Sequence, residues 1–257
     1  TKKDCGVPFT EDNIIINVPR NVVCGTPSEA AVEAGEGKPV PPLTRNEPKI
    51  ETNQPPSLEN SGLILKGSNQ IVNCGGKKIS APNNEGVAIL LEGNGATVEN
   101  CKVQGGLDGI RVAGSGSNLL NNVIASNSGI GLLLIDSSGD VDLAVFDSDF
   151  SRNIFFGIAT VGGSGVDISV LLESTVADRN EGDGILIFAS NEIVDGSTAA
   201  LLSNVQANNN EFNGIASFGG SVELALIDSE FCRNDKSIDD PDIRLDVNLF
   251  SPNPTFA

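Results

Sequence analysis

The chain has 257 residues and a formal net charge of −18, with 29 glycines but no His, Met, Trp or Tyr. The lack of His excludes serine–histidine and cysteine–histidine nucleophiles, and zinc sites built from Cys and His. The negative charge argues against nucleic acid or anionic lipid as a partner, and it repels acidic polysaccharides unless cations bridge the contact. No apolar run reaches the ~18 residues that a transmembrane helix needs.

The N-terminal segment is predicted to form a cap. Cys5 and Cys24 bracket the short apolar strand Ile14–Ile16, so a disulfide between them would close a loop. Five cysteines are typical of an oxidising compartment. A chain without Met is expected to be a mature form whose leader has been removed. We therefore predict a protein that is secreted or held at the cell surface.

Residues 28–60 have a different composition, rich in Pro, Glu and Gly. Pro39-Val40-Pro41-Pro42 and Gln54-Pro55-Pro56 are typical of extended backbone rather than of a packed core. This stretch is predicted to be either an extended strap along the fold or a mobile linker. Together with the cap it makes residues 1–60 the first region of the chain.

Residues 61–240 form a second region in which the sequence repeats itself. A glycine followed by an apolar residue recurs at intervals of 23, 22, 26, 27 and 30 residues. These pairs are Gly86-Val87, Gly109-Ile110, Gly131-Leu132, Gly157-Ile158, Gly184-Ile185 and Gly214-Ile215. An asparagine column comprises Asn127, Asn153, Asn180 and Asn210, each four residues before one of the last four glycines, and Asn234, which follows in a comparable context. Two apolar columns lie eight and three residues before these asparagines; they are Leu119, Val145, Leu172, Leu202 and Leu226, and Ile124, Phe150, Ala177, Ala207 and Phe231.

The columns predict an all-β fold, a single-stranded parallel β-helix in which each repeat is one coil of a solenoid. One coil cannot bury its apolar residues alone, but stacking at the ~4.8 Å spacing of β-strands makes each column a ladder inside the tube. The asparagine amides are expected to bond to the turn backbone and to one another. Cys74 and Cys101 lie 27 residues apart, one repeat length, and are predicted to form a second disulfide. Cys232 then remains as a buried thiol or an intermolecular link.

The first coils resemble a known family. The segments Ile71–Ile79 (IVNCGGKKI) and Ala96–Val103 (ATVENCKV), the second followed by Asp108-Gly109-Ile110, are similar to the opening coils of the pectin-lyase-like right-handed parallel β-helix repeat proteins. The resemblance covers roughly residues 60 to 240 and implies a right-handed solenoid. It implies no single activity, because the family includes polysaccharide lyases, hydrolases, epimerases, adhesins and proteins without known activity.

Most catalytic motifs that the resemblance suggests are missing. Hydrolases of this fold share Asn-Thr-Asp, Asp-Asp, Gly-His-Gly and Arg-Ile-Lys motifs, and the one Asp-Asp here, Asp239-Asp240, lies past the coils. Uronan epimerases rely on Asp, His and Tyr, and the chain lacks two of these three. A calcium-assisted polysaccharide lyase with Arg or Lys as its base is not excluded, and it is the class expected if the protein is an enzyme.

Three arginines form a candidate ligand site. Arg152, Arg179 and Arg233 each precede a column asparagine by one residue, with Asn209 in the coil between. Stacking would align them as a basic stripe that could bind carboxylates or sulfates of a polysaccharide. The alternative is a surface charge ladder, because exposed ion pairs are common and contribute little energy. Its carboxylates would be Asp147, Asp149, Asp178 and Glu230.

The loops that follow the glycine strands form a second candidate site. These loops vary in length, and variable loops on a rigid scaffold usually carry function. Clustered carboxylates from adjacent coils could hold Ca²⁺, which takes six to eight oxygen ligands. Ordinary polar turns are the alternative. The candidate ligands are Asp140, Asp142, Asp167, Glu192 and Asp195.

The sequence as a whole favours a secreted or surface protein that is not catalytic and has a structural role or binds a polysaccharide or cell-wall glycan. The calcium-assisted lyase, or another glycan-active enzyme, is one alternative. The other is an adhesin or assembly subunit that self-associates through Cys232 and the ends of the tube. Residues 241–257 are predicted to cap the last coil, which would otherwise expose strand edges.

Overall fold

The computed structural model describes residues 5–6, 8–24, 61–81, 86–135, 139–162, 165–189, 197–219 and 221–234, and the backbone of 243–245. Every regular element in these ranges is a β-strand, and every strand pairing is parallel. The strap or linker predicted at 28–60 lies outside them, as does most of the predicted cap at 241–257. The described residues contain no helix that is long and apolar enough to cross a bilayer.

The strands, numbered in chain order, belong to three sheets. Sheet A contains β1 (Pro8–Phe9), β4 (Leu63–Leu65), β7 (Val87–Leu91), β10 (Asp108–Val112), β13 (Ile130–Ile135), β15 (Phe156–Gly162), β17 (Ile185–Ala189), β19 (Ile215–Gly219) and β21 (Ile243–Leu245). Sheet B contains β2 (Ile15–Asn17), β5 (Ile71–Asn73), β8 (Thr97–Glu99), β11 (Gly116–Asn121), β14 (Val141–Phe146), β16 (Ile168–Glu173), β18 (Ser197–Ser203) and β20 (Ser221–Ile227). Sheet C contains β3 (Val22–Val23), β6 (Lys78–Ser80), β9 (Lys102–Gln104) and β12 (Ile124–Ser126).

Each coil passes through sheets A, B and C in turn and then rises by one strand spacing, about 4.8 Å. After β12, sheet C continues as a column of single bridges through Asp149, Val176, Gln206 and Glu230. The same order of elements repeats along the chain, so chain neighbours lie in different sheets while sheet neighbours come from successive coils. The predicted all-β parallel solenoid is confirmed.

The interior of the tube is one apolar core built from the predicted columns. Ile158, Ile185 and Ile215 are register partners on β15, β17 and β19, and all three are buried. Burying a side chain of this size contributes roughly 1.5–3 kcal/mol relative to leaving it in water. The stacking of like residues in successive coils therefore supplies the main stabilisation of the fold.

Two disulfides close the N-terminal part of the solenoid. Cys5 and Cys24 are bonded, with 5.6 Å between their Cα atoms, and they tie together the cap formed by β1, β2 and β3. Cys74 and Cys101 are bonded between adjacent coils, with 4.8 Å between their Cα atoms. Cys232 is exposed, so the interpretation of it as a buried thiol is wrong.

One coil departs from the predicted columns by a single residue. Leu120 pairs with Val145, whereas Leu119 pairs with Ala144 and is only half-buried. Ile124 is likewise exposed, because it is the bridge partner of Asp149. The buried Ala125 takes its inward place.

The asparagine column shows the same offset, because the backbone N of Ser128 donates to Asn153 Oδ1 (3.2 Å). Ser128 therefore occupies the ladder position expected for Asn127, which is exposed. The physical reason is a shorter turn: Gly131 is three positions after Ser128, whereas Gly157 is four positions after Asn153.

The glycine column also begins differently from the prediction. Ile89 is the register partner of Ile110, which places Ala88 rather than Gly86 beside Gly109. Further along, a side chain at Gly157 would meet two carbonyl oxygens at 2.6 and 2.7 Å. The close approach of backbone from adjacent coils explains why glycine recurs in the later coils.

Candidate functional site

A buried ladder of side-chain amides supports the turn that precedes sheet A. Asn153, Asn180 and Asn210 each donate their backbone N–H to the Oδ1 of the next asparagine, at 2.8–2.9 Å, and the last partner is Asn234. Their Nδ2 groups donate to the same oxygens at 3.0–3.3 Å. Buried polar groups need such partners, because an unpaired one costs about 1–3 kcal/mol. The ladder therefore holds the residue that precedes it in each of these later coils in a fixed place.

The residues that come immediately before the ladder asparagines form the arginine column, which consists of Arg152, Arg179, Asn209 and Arg233. All four adopt left-handed backbone conformations, with φ between 56° and 62°. Asn127 has φ of 54° and, by the offset described above, occupies the equivalent place in the preceding coil. The structure thus brings together the three arginines that the sequence singled out, on one edge of the tube.

The arginines of this column are exposed, and no carboxylate in the described part of the chain lies within 4.0 Å of their guanidinium nitrogens. The neighbouring carboxylates are used by the backbone instead. Asp178 Oδ1 accepts from the N–H of Asn208 (2.6 Å), and Asp149 Oδ1 accepts from the N–H of Ser151 (3.0 Å). The ion-pair ladder considered as the alternative is therefore not formed by these residues.

The carboxyl group of Asp178 has an altered acidity. Its partial burial raises the pKa above the ordinary value, although the hydrogen bond from the Asn208 backbone and the charge of Arg179 act in the opposite direction. The carboxylate thus serves as a cap for the next coil rather than as a free acid or base at the surface.

An open groove of about 540 Å³ runs beside the column. Arg152 and Arg179 form part of its lining, and the other residues that line it are Gln104, Asn127, Asn153, Ile154 and Glu181. Cationic, amide and apolar groups therefore face one shallow depression. This combination suits hydrogen bonding to an anionic ligand together with packing against its apolar surface.

The acidic loops behave as backbone caps in the described part of the chain. Asp140 Oδ1 accepts from the N–H of Asp167 (3.1 Å), and Asp167 Oδ1 accepts from both the N–H and the hydroxyl of Ser197 (2.9 Å each). Asp142 Oδ2 accepts from the Ser117 hydroxyl (3.1 Å).

No group of three or more His, Cys, Asp or Glu side chains that could hold a metal occurs among the described residues. Two of the candidate calcium ligands, Glu192 and Asp195, lie outside the described ranges. The calcium site therefore stays a prediction.

The sequence interpretation missed a buried ion pair on sheet A. Arg111 donates through Nε to Asp108 Oδ2 (2.5 Å), and both side chains are buried. Asp108 Oδ1 is buried and has no hydrogen-bond partner. Burial raises the pKa of Asp108 from 3.8 to about 6, against the lowering effect of Arg111. The only sequence signal is an i,i+3 spacing of opposite charges, which would suggest an exposed pair.

Comparison with known protein families agrees with the architecture. A family model described as a right handed beta helix region matches residues 61–231. Among solved structures, the A-module of the mannuronan C-5 epimerase AlgE4 of Azotobacter vinelandii is similar at a TM-score of 0.37 and 12% sequence identity. That similarity covers 72% of this chain and 65% of the epimerase module. No curated protein matches the sequence.

Proposed function

The chain belongs to the right-handed β-helix family, and we propose that it is a secreted, non-catalytic member that binds an acidic polysaccharide along the arginine column. The observation that carries the proposal is the alignment of Arg152, Arg179 and Arg233 in one exposed turn, with no carboxylate of the described residues within 4.0 Å of their guanidinium nitrogens. Guanidinium groups bind carboxylates and sulfates in a bidentate manner. The column therefore offers repeated anion contacts along the axis of the tube.

The backbone of the column adds support. A left-handed conformation costs an ordinary L-residue roughly 1–2 kcal/mol, whereas Asn tolerates it better. Asn127 and Asn209 show that the same turn accepts asparagine. Arg152, Arg179 and Arg233 thus stabilise the fold less than asparagine would at the same positions, which favours a role for them other than in folding.

The spacing suits an extended ligand. Coils rise by about 4.8 Å, so Arg152 and Arg179 are one step apart and Arg233 lies about 14 Å from Arg152. Asn209 fills the step between the pair and the third arginine with a neutral hydrogen-bonding group. A polysaccharide that runs parallel to the axis would meet these residues in succession.

The net charge of −18 does not prevent such binding. At physiological ionic strength, charges further away than about 8 Å are largely screened. The ligand therefore responds mainly to the groups beside it, which are the arginines and the groove described above. Low salt should, in contrast, expose the repulsion from the rest of the molecule.

Binding without turnover is favoured over the lyase alternative by the composition of the groove. A calcium-assisted lyase would need an arginine or lysine that faces two or more carboxylates. Among the described residues, Glu181 is the one carboxylate that lines the groove, and the carboxylate of Asp178 accepts a hydrogen bond from the backbone of Asn208. The adhesin alternative has no comparable observation in its support.

The test is a titration of the full chain with oligosaccharides of galacturonate, of a sulfated sugar and of a neutral glucan, with and without a calcium chelator. The variant is Arg152→Asn with Arg179→Asn, which installs the residue that the turn already carries at Asn209. The control is Lys77→Gln with Lys102→Gln, which removes the same charge from exposed lysines elsewhere.

We expect an acidic oligosaccharide to bind and the arginine variant to weaken it by about 10-fold or more, while the control changes affinity by less than about 2-fold. Equal losses of affinity in the arginine variant and in the control would mean that binding depends on overall charge rather than on the arginine column, which would contradict the proposal. Binding that disappears with chelator but survives the arginine variant would favour the acidic loops instead. Formation of unsaturated uronate product would establish the lyase.

A further inference from the structure

An exposed apolar column borders the groove, one residue beyond Ile154 in the turn that leads into sheet A. In six successive coils this position holds glycine and a large apolar residue in strict alternation. In chain order the residues are Gly86, Leu107, Gly129, Phe155, Gly182 and Phe212. The three large side chains are 37%, 40% and 41% exposed, and we call them the apolar ridge.

The backbone follows the same alternation. Leu107, Phe155 and Phe212 each donate their backbone N–H to the carbonyl oxygen of the glycine in the preceding coil, at 2.9, 2.8 and 3.3 Å. A side chain at Gly129 would collide with the carbonyl oxygen of Leu107, and one at Gly182 would collide with Phe155 in the same way. The ring of Phe155 leans over Gly129, because its Cδ2 atom would be 3.4 Å from a Cβ atom there. The glycines thus give the large side chains room over the preceding coil and set a repeat of two coils.

The exposure of the ridge indicates an interaction surface. Phe155 and Phe212 are exposed, whereas the other phenylalanines of the described residues are buried or half-buried. Single exposed apolar residues are ordinary on a protein surface, but an aligned row of them marks a site of contact. Ile154, which is 38% exposed and precedes Phe155, lines the groove together with Arg152. The ridge is therefore continuous with the apolar part of the groove.

The ridge and the arginine column run side by side along the tube. Phe155 is three residues after Arg152, and Phe212 is three residues after Asn209, so the backbones of the two columns are at most about 11 Å apart. Members of the ridge recur every two coils, about 9.6 Å. A chain of sugars that lies along the axis can therefore contact cationic groups on one side and apolar groups on the other.

We propose that the apolar ridge is the second half of the polysaccharide site and selects a flat, β-linked acidic chain in which alternate sugars turn the same face to the protein. This inference rests on the proposed function. A pyranose ring with equatorial hydroxyls exposes axial C–H bonds on its faces, more on one face than on the other, and such a face packs on an aromatic ring as an apolar group does. In a β-1,4-linked chain each sugar is turned over relative to the last, so the same face recurs at every second sugar and matches the repeat of two coils. An α-1,4-linked chain coils and does not present its faces in this way.

The experiment compares two oligosaccharides of equal length and charge, a β-1,4-linked oligoglucuronate and an α-1,4-linked oligogalacturonate, by calorimetric titration of the full chain. The ridge variant is Phe155→Ser with Phe212→Ser. The control is Leu201→Ser with Ile227→Ser, which removes exposed apolar side chains from sheet B. The arginine variant described above is measured in parallel.

We expect the unmodified chain to bind the β-linked oligomer at least about 5-fold more tightly than the α-linked one. The ridge variant should lose this preference and still bind both oligomers through the arginines, whereas the control should keep it and the arginine variant should weaken both. Equal affinities in the unmodified chain, or a preference that survives in the ridge variant, would overturn this inference and leave the proposed function standing. Failure of the unmodified chain to bind either oligomer would overturn both.

A second measurement uses a milder substitution. Phe155→Leu with Phe212→Leu installs the residue that the same column carries at Leu107. The chain has no His, Trp or Tyr, so all its aromatic C–H protons belong to phenylalanine. We expect nuclear Overhauser effects between these protons and the ring protons of the bound β-linked oligomer. The leucine variant should bind within about 3-fold of the unmodified chain and lose most of these effects. Effects that are unchanged in the variant would place the sugar on other phenylalanines and contradict the inference.

Discussion

Sheets A and B both line the core and receive strands from the same coils, yet their outer faces differ. On sheet B, outward residues such as Asp142, Ser169 and Glu223 are exposed and alternate with buried ones. On sheet A, strands such as β7 and β15 are buried at every position. Alternation is typical of a sheet with one face in water, and continuous burial of a sheet with both faces covered. Stacking thus determines the inside of the tube, while the outside differs from sheet to sheet.

Replacing one outward leucine on each sheet by Asp should separate the two faces most clearly. Leu186→Asp should lower the free energy of unfolding by about 3–5 kcal/mol, because it places a charge in a buried apolar cluster. Leu201→Asp should cost about 0.5 kcal/mol or less, since its side chain already contacts water. Denaturant unfolding of both variants measures the difference. Similar losses would mean that the two faces are equally exposed in solution.

A smaller effect is expected from the buried ion pair, which interrupts the apolar face of sheet A. Replacing Asp108 by Val and Arg111 by Leu copies their register neighbours Val87 and Leu90. We expect this double variant to be more stable by about 1–3 kcal/mol at pH 7, because a buried ion pair repays its desolvation poorly.

The gain should depend on pH in a defined direction. The pKa of Asp108 is raised from 3.8 to about 6, so between these values the folded protein binds more protons than the unfolded chain. The contribution of Asp108 to stability therefore falls as the pH rises from 4 to 6, and the advantage of the double variant should grow over that range.

The exposed pair Lys66–Glu92 (2.6 Å) provides the control. Its replacement by Gln at both positions should change stability by less than about 0.5 kcal/mol at any pH in this range. Thermal unfolding at pH 4.5 and pH 7 distinguishes the cases. An advantage of the Asp108 and Arg111 variant that shrinks as the pH rises would contradict the description of the buried pair.

The smallest change in stability is expected in the arginine column, which lies exposed at one edge of the tube. Arg179→Asn should raise the free energy of unfolding by about 0.5–1 kcal/mol, because Asn tolerates the left-handed backbone. The reciprocal change Asn209→Arg should lower it by a similar amount. Denaturant titration measures both. Opposite signs would show that the arginines contribute to folding, which would weaken the case for a ligand.

Much of this architecture could be predicted from the sequence, because a solenoid repeats the same environment. The isoleucine column that contains Ile158 and the position of Arg179 beside Asn180 both follow from counting residues between glycines. The count failed at Asn127 and Ser128, where the turn to the glycine strand is one residue shorter. Periodicity cannot locate such a deletion when both candidate residues are polar.

The outer face of sheet A could not be predicted in the same way. Strand β15 carries apolar residues at neighbouring positions, such as Ile158 and Ala159, and a pattern of this kind does not reveal whether the outer side of the strand is buried. The use of Asp178 by the next coil was also hidden, because it depends on the left-handed turn at Arg179. Charge spacing alone suggested an ion pair there.

Locating the bound ligand tests the proposed binding site directly. An acidic oligosaccharide that binds the chain would carry a diazirine at one end, and its adducts would be sequenced after irradiation. We expect adducts beside Arg152 and Arg179, at groove residues such as Ile154 and Glu181. Adducts elsewhere on the protein, with the arginine column unmodified, would contradict the proposed binding site.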